Sequence, residues 1–168
     1  YVRKNAGDGM VIVSPDAGRV KVAERFAQHL SDKNADVAFI NKRRPKGTTN
    51  VAVAKEVIGE VEGRLCILTD DMIDTGGTIV SAAELLLERG ATEVWAMATH
   101  GVLSGPAVER LEASSISRVV LTNTLPLAAD KRIAKIEVLS VAQILADALA
   151  AVFDETSVSE LFGGENQS

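Results

Sequence analysis

The sequence predicts an open α/β fold in which helices cover a mainly parallel β-sheet. Hydrophobic residues make up 46% of the 168 residues and aromatic residues only 4%, so the core must be built from Val, Ile, Leu and Ala. Such aliphatic side chains are typical of parallel strands that are buried on both faces. Short apolar runs also alternate with amphipathic helical patterns, which favours parallel strands joined by right-handed crossovers.

Six apolar runs are predicted to be strands, because each is nearly continuous in apolar residues and is bounded by polar or turn-forming residues. They cover residues 10–14, 37–41, 65–70, 93–99, 118–122 and 136–139. In open parallel sheets, ligands bind beyond the carboxyl ends of the strands. Functional side chains are therefore expected just after Ser14, Asn41, Asp70 and Thr99.

Four amphipathic patterns predict helices between or after these strands. The first places apolar residues 22, 23, 26, 27 and 30 on one face, and the second places residues 79, 82, 83 and 86 on one face and ends at Gly90. Ser104 and Pro106 indicate the start of a third helix. Ser140 and Gln143 form a capping-box pattern ahead of a fourth, with apolar residues 144, 145, 148 and 149.

The composition argues against several classes of function. The net charge is −5 and the chain has no long basic run, so we expect no nucleic-acid partner. No apolar stretch reaches the length of a membrane span, so we expect no membrane partner. Cys66 is the only cysteine, which excludes an internal disulfide and agrees with a reducing cytoplasm as the expected location. Its apolar neighbours predict a buried thiol.

The most specific pattern follows the third predicted strand and predicts a phosphate site. The segment Thr75-Gly76-Gly77-Thr78 joins that strand to the next helix. The glycines allow successive backbone N–H groups to turn inward, and the helix start adds unpaired amides and its positive dipole end. Thr75 and Thr78 add hydroxyl donors for phosphate oxygens.

Three carboxylates stand beside this turn, at Asp70, Asp71 and Asp74. They would repel a phosphate group unless they bind hydroxyl groups or a cation, and vicinal hydroxyls such as those of ribose suit carboxylate acceptors. The alternative is a glycine-rich turn with acidic caps. The ordered combination of strand, acidic pair, Thr-Gly-Gly-Thr and amphipathic helix favours the binding site.

This segment resembles the motif that binds PRPP (5-phosphoribosyl diphosphate) in type I phosphoribosyltransferases and in ribose-phosphate pyrophosphokinases, the PRPP synthases. The resemblance implies a type I phosphoribosyltransferase-like fold. It also implies that Asp70 and Asp71 hold the ribose hydroxyls and that residues 74–78 wrap the 5-phosphate.

Two further segments resemble PRPP synthases in particular. In Val-Ser-Pro-Asp-Ala-Gly, at residues 13–18, the resemblance gives Asp16 a role in holding Mg²⁺ near the diphosphate, and the alternative is a helix cap. In Asn-Lys-Arg-Arg-Pro, it makes Lys42 and Arg44 catalytic residues of a mobile loop that continues through residues 46–50. The alternative there is a solvated surface patch.

Other segments extend the resemblance over most of the chain. Ser157, Ser159 and Phe162 match a tail that in these synthases contributes to a regulatory ADP or phosphate site, and a packed C-terminal anchor is the alternative. His100, at a strand end, is expected to join loops by a hydrogen bond. One departure is the segment Ala17-Gly18-Arg19, which stands where many synthases carry a second glycine.

The reaction implied by the resemblance is the conversion of ATP and ribose 5-phosphate to PRPP and AMP, with Mg²⁺ as cofactor and with assembly into homo-oligomers. PRPP synthases also have a similar N-terminal domain that binds the adenine of ATP. Residues 1–162 are interpreted as one domain, the C-terminal one, and residues 163–168 as a tail; the chain begins at Tyr1, not Met, and the N-terminal domain is interpreted as absent. We therefore expect little activity from this chain alone.

Two other functions remain open at this point. A phosphoribosyltransferase that consumes PRPP would share the phosphate turn, although it should lack the two synthase segments and should carry a hood over a base. A non-catalytic regulatory subunit associated with a synthase would keep the fold and the partner surface.

Overall fold

The computed structural model describes residues 1–43 and 54–162. Within these residues seven strands form one sheet, and they are β1 (Val11–Ser14), β2 (Asp36–Arg43), β3 (Ala54–Ile58), β4 (Leu65–Ile73), β5 (Glu93–Gly101), β6 (Arg118–Thr122) and β7 (Ile136–Leu139). Their spatial order is β3-β2-β1-β4-β5-β6-β7. Only the pair β2 and β3 is antiparallel among these neighbours. The predicted fold class is therefore confirmed.

The order of the strands determines where a ligand can bind. The chain runs from β1 to β2 in one direction across the sheet and from β4 through β5 to β6 in the other. The topological switch point therefore lies between β1 and β4. In open α/β sheets the ligand crevice forms at this point, beyond the carboxyl ends of the strands.

Helices cover both faces of the sheet. They are α1 (Val2–Asn5), α2 (Val20–Gln28), α3 (Gly77–Glu88), α4 (Ala107–Ala113) and α5 (Ala142–Phe153). Right-handed crossovers in opposite directions place α2 on one face and α3 with α4 on the other.

Two hydrophobic clusters show this division. Ile12 and Ile67 pack with Ala23 of α2 on one face, whereas neighbouring residues of the same strands, including Leu68, pack with Leu86 of α3 on the other. All of β1 is buried, and so are the consecutive residues 66–68 of β4, 94–96 of β5 and 119–121 of β6, as predicted for strands covered on both faces. Strand β7 is only partly buried, because it is the last strand of the sheet.

Several predicted boundaries are wrong. Strand β3 is not among the predicted strands, because Lys55 and Glu56 interrupt its apolar pattern and its pairing with β2 is a tertiary contact. Strands β4 and β5 also continue further than predicted, through the register pairs Met72↔His100 and Ile73↔Gly101. As a result the acidic pair lies within a strand that continues to Ile73 and not at the end of that strand.

The helix predictions hold for α3 and only partly elsewhere. The predicted inner face of α3, at residues 79, 82, 83 and 86, is buried. In α2, which is the first of the predicted helices, Ala23 and Ala27 are buried as predicted. The side chain of Val22 is instead 51% exposed, because it borders an apolar groove beside the sheet.

The predictions for the fourth helix, α5, include two errors. The capping box is wrong, because Ser140 Oγ accepts from the amide of Ala142 at 3.2 Å and Gln143 instead donates to Asp147. The predicted apolar face is also mostly not buried, because the side chains of Ile144, Leu145 and Leu149 are 51 to 60% exposed.

Two smaller points concern the thiol and the length of the helices. Cys66 is buried as predicted, and burial raises the pKa of its thiol to about 12. Across the described ranges, no helix has both the length and the apolar character needed to cross a lipid bilayer.

Candidate functional site

A polar pocket of about 360 Å³ opens at the carboxyl ends of β1 and β4, at the switch point of the sheet. Its volume lies within the range of small-molecule sites. The residues that line it are Asp16, Asp70, Met72, Ile73, Asp74, Thr75, Gly76, Thr78 and Ile79. The structure therefore brings the predicted phosphate turn together with Asp16, which lies more than 50 residues earlier in the chain.

The turn into α3 requires glycine at one position. Gly76 precedes the first helical residue, Gly77, and has φ +74°, ψ −9°, in the left-handed region. A Cβ atom at Gly76 would lie 3.5 Å from the carbonyl oxygen of Ala107, which is an ordinary contact. The backbone angle, and not a lack of space, is therefore the reason for glycine here.

The peptide groups of the turn are oriented by the segment that follows β5. The carbonyl oxygens of Ile73 and Asp74 each accept from a backbone amide at 3.0 Å, those of Leu103 and Ser104 respectively. The carbonyl oxygen of Thr75 accepts from Arg110 Nη1 at 2.9 Å. In a trans peptide the C=O and the following N–H point in opposite directions. The amides of residues 74, 75 and 76 therefore point away from these donors, toward the pocket.

The start of α3 adds further donors to the same pocket. The first amides of a helix have no intrahelical partner, and they lie at the positive end of the helix dipole. Thr75 and Thr78 are exposed and line the pocket. Backbone amides, a helix start and two hydroxyl groups therefore surround one cavity, which is an arrangement that binds phosphate.

The acidic pair of β4 is held by an arginine from the turn after β1. Arg19 Nη1 lies 2.7 Å from Asp71 Oδ2, and Arg19 Nε lies 3.6 Å from Asp70 Oδ1. Asp70 lines the pocket, whereas Asp71 is not among the described residues that line it. The two carboxylates, which were predicted to act alike, therefore have different surroundings.

These surroundings shift the two acidities in opposite directions. Burial raises the pKa of Asp70, and the neighbouring Asp71 carboxyl raises it further. A hydrogen bond with the Asp70 side chain and the contact with Arg19 lower the pKa of Asp71. As pH falls, the proton therefore enters the pair at Asp70 first, while Asp71 stays ionised.

Asp16 lies at the pocket and caps a short helix. Its Oδ1 accepts from the amide of Gly18 at 2.9 Å, and its carbonyl accepts from the buried hydroxyl of Ser14 at 2.6 Å. Among residues 1–43 and 54–162, no three His, Cys, Asp or Glu side chains are grouped closely enough to hold a metal ion by themselves. Asp16 nevertheless suits Mg²⁺, which proteins often bind by one or two carboxylates together with substrate phosphates and water.

The remaining predicted residues lie elsewhere or beyond the description. Lys42 belongs to β2, next to β1, and only its backbone is described. Arg44 and the predicted loop at residues 46–50 lie outside the described residues, as does the predicted tail. Ser157 and Ser159 share a 2.7 Å hydrogen bond after α5 and do not line the described part of the pocket.

Two other predicted positions are placed by the structure. Phe162 ends the short helix Val158–Phe162, of which the backbone is described at that residue. His100 Nδ1, near the end of β5, lies 2.9 Å from Thr124 Oγ1 in the segment that follows β6, so its hydrogen bond joins a strand end to a loop and not two loops.

The phosphoribosyl synthetase-associated domain family has a model that matches residues 32–163. The chain belongs to this family. Similar proteins of the family include a ribose-phosphate pyrophosphokinase of Caldanaerobacter subterraneus subsp. tengcongensis, which is 52% identical over 162 residues covering 96% of this chain and 50% of that protein. A ribose-phosphate pyrophosphokinase of Mycobacterium tuberculosis is 49% identical over 98% of this chain and 50% of that protein.

A solved structure agrees with this assignment. The crystal structure of phosphoribosylpyrophosphate synthetase from Mycobacterium smegmatis superposes with a TM-score of 0.78 at 49% identity, covering 88% of this chain and 46% of that one. The family resemblance stated from the sequence is therefore confirmed. This chain spans about half the length of the curated relatives that it matches.

Sequence reasoning missed two arginines that shape the pocket. Arg110 lies on α4, where nothing in the local pattern distinguishes it from a surface residue. Arg19 was visible only as a departure from the usual glycine. Both act through contacts with segments more than 30 residues away, which no local pattern in the sequence predicts.

We expect Arg110→Met to weaken binding of inorganic phosphate by about threefold to tenfold, because the Thr75 carbonyl loses its donor and the turn loses one restraint on its amides. Calorimetric titration of the purified chain with phosphate measures this. Arg89→Met, which removes an exposed arginine at the other end of α3, is the matched control. Equal affinity of wild type and Arg110→Met would contradict the orientation of the turn described above.

Proposed function

We propose that this chain binds ribose 5-phosphate and is the sugar-binding half of a ribose-phosphate diphosphokinase, the enzyme that converts ATP and ribose 5-phosphate to PRPP and AMP. The observation that supports this most strongly is one pocket that is lined both by the Thr75–Thr78 turn, with its outward-facing donors, and by the Asp70 carboxylate. The relatives named ribose-phosphate pyrophosphokinase support the same assignment, since their sequences are 52% and 49% identical to this chain over 96% and 98% of its length.

The pocket suits a sugar phosphate in two parts. The amides of residues 74–76, the start of α3 and the hydroxyls of Thr75 and Thr78 bind the 5-phosphate as donors. The Asp70 carboxylate, at the edge of the same cavity, accepts from a ribose hydroxyl group. With its phosphate and a ring hydroxyl both held, the sugar is positioned so that its anomeric hydroxyl attacks the β-phosphorus of ATP in line and AMP leaves.

The transferred diphosphoryl group gains negative charge that has to be stabilised. Lys42 and Arg44 are the proposed catalytic residues for this role, and Asp16 is the proposed ligand of Mg²⁺. When bound, Mg²⁺ would neutralise charge on the diphosphate oxygens. Phosphoryl transfer needs little covalent help from a protein, so positioning and electrostatics account for most of the acceleration.

The proposal assigns this chain only part of the catalytic machinery. Because the chain spans about half the length of its relatives, ATP recognition is assigned to the other half, and the chain alone should turn over little ATP. Assembly into homo-oligomers, a cytoplasmic location and a regulatory role for Ser157, Ser159 and Phe162 belong to the same proposal.

We expect the purified chain to bind ribose 5-phosphate and to bind unphosphorylated ribose at least about tenfold more weakly, since ribose lacks the charged group that the turn accepts. Thr78→Val removes one hydroxyl donor with little change of shape and should weaken ribose 5-phosphate binding about tenfold. Thr92→Val, at an exposed position before β5, is the matched control. Calorimetry that shows no binding of ribose 5-phosphate to the wild type would rule out the proposed function.

The pH dependence of binding follows from the Asp70 carboxyl. Because burial raises its pKa above the usual value of about 3.9, the carboxylate is lost at a higher pH than in an ordinary aspartate. As pH falls below neutrality, the affinity for ribose 5-phosphate should therefore fall before Asp71 titrates. In Asp70→Asn this component should disappear, leaving only the ionisation of the phosphate itself near pH 6. Identical pH profiles for both proteins, measured calorimetrically, would argue against Asp70 as the sugar ligand.

Activity assays separate the proposal from its alternatives. Within a full-length synthase, Lys42→Ala should abolish formation of AMP from ATP and ribose 5-phosphate while binding of the sugar persists, because Lys42 is assigned to charge stabilisation and not to sugar binding. Unchanged activity would favour a regulatory subunit instead. Formation of a nucleotide from PRPP and a nucleobase would favour a phosphoribosyltransferase, and full activity of this chain alone would contradict the division of labour between the halves.

A further inference from the structure

Arg19 connects the turn after β1 to the acidic pair on β4. It ends the short helix Ala17–Arg19, which begins next to Asp16. From there its guanidinium group reaches Asp71 at 2.7 Å and approaches Asp70 at 3.6 Å. The two strands that flank the switch point are thus joined by one planar cation directly beside the pocket.

The contact separates the roles of the two carboxylates. Asp71 Oδ1 accepts from the amide of Met72 and Oδ2 from Arg19, so both of its oxygens are engaged. Asp70 Oδ1 accepts from the amide of Asp71, and the Asp70 side chain lines the pocket. Arg19 therefore holds Asp71 as a support and leaves Asp70 as the carboxylate that a sugar hydroxyl meets.

The charges around the pocket make this cation important for an anionic ligand. Asp16, Asp70 and Asp74 line the pocket, and a sugar phosphate adds a charge of about −1.5 to −2 at neutral pH. Opposite charges at short range offset this repulsion most effectively where the groups are partly buried. Arg19 is such a group, since one third of its side chain is exposed.

We propose that Arg19 is a positioning residue for the sugar diol, which acts by holding the Asp70–Asp71 pair and not by touching the phosphate. This inference rests on the proposed function, because it refines how the acidic pair selects ribose 5-phosphate. It assigns to Arg19 the preference for a sugar that carries both the 2- and the 3-hydroxyl group, over and above a general attraction for anions.

One unpaired donor agrees with this role. Within the described ranges, Arg19 Nε is the buried side-chain nitrogen or oxygen that has no hydrogen-bond partner. The nearby Asp70 Oδ1 is at 3.6 Å, and a shift of roughly 0.5 Å would bring it into hydrogen-bond range. Buried donors are nearly always paired. A ligand that moves the Asp70 carboxylate toward Arg19 would therefore give Arg19 Nε the hydrogen-bond partner that it lacks.

The test compares two variants that differ in charge. Arg19→Lys keeps a positive charge, but its single ammonium group cannot present the planar pair of N–H groups that face Asp70 and Asp71. Arg19→Met removes the charge as well. Each protein is titrated calorimetrically with ribose 5-phosphate, 2-deoxyribose 5-phosphate and inorganic phosphate, and its folding is checked by thermal unfolding. Arg3→Met, which breaks the exposed ion pair with Asp32, is the matched control.

We expect wild type and Arg3→Met to bind ribose 5-phosphate more tightly than 2-deoxyribose 5-phosphate. Arg19→Lys should lose most of this preference, about fivefold to tenfold, while its affinity for inorganic phosphate stays within about twofold. Arg19→Met should lose the preference and also bind inorganic phosphate more weakly. In an Asp71→Asn background, Arg19→Lys should change the preference by less than about twofold, because its partner is already altered.

The outcomes separate this inference from the proposed function. If the wild type binds ribose 5-phosphate with the preference and both Arg19 variants retain it, Arg19 is only a structural ion pair and the inference fails while the function stands. Tighter binding by Arg19→Met would also overturn the inference, since Arg19 would then compete with the sugar. If the wild type binds no ribose 5-phosphate, the proposed function itself fails. Should Arg19→Met not fold, the Arg19→Lys titrations still decide between these results.

Discussion

Three carbonyl groups that point away from the pocket determine the orientation of the turn that lines it. The carbonyl oxygens of residues 73, 74 and 75 accept from Leu103, Ser104 and Arg110, all of which follow β5 in the chain. Because each peptide group is planar and trans, these contacts turn the next three amides toward the cavity. The turn is therefore oriented by the neighbouring crossover, and Gly76 contributes the left-handed backbone that lets α3 begin directly behind it.

The adjacent carboxylates beside this turn repel one another, and the structure reduces this repulsion by giving Asp70 and Asp71 different surroundings. Asp70 is partly buried, which raises its pKa, whereas a hydrogen bond with the Asp70 side chain and the contact with Arg19 lower the pKa of Asp71. One carboxylate is therefore supported by a cation and the other lines the pocket. Such division of two adjacent acids by their surroundings is a recurrent way of giving chemically equal groups separate roles.

Much of the fold was predictable because its signals are local. Nearly continuous apolar runs in the sequence predict four of the strands, β1, β4, β5 and β6. The apolar residues of α3 recur with the helical period, and they form its buried face. Strand β3 was missed because an edge strand with charged residues has no such signal, and its existence depends on pairing with β2. The apolar face of α5 was assumed to be covered, yet Leu149 is 60% exposed, since periodicity indicates which side is apolar but not what lies against it.

The sequence by itself determined the class of fold and the family, because strand, acidic pair, Thr-Gly-Gly-Thr and helix are contiguous in the chain, and the phosphate role of the turn stays a prediction from the same pattern. Only the tertiary structure decided that Asp16 and Asp70 share one pocket, that Arg19 binds Asp71, and that Arg110 orients Thr75. These contacts join residues from separate crossovers of the sheet. A local pattern cannot encode them, since the distance between two such side chains is set by strand order and register.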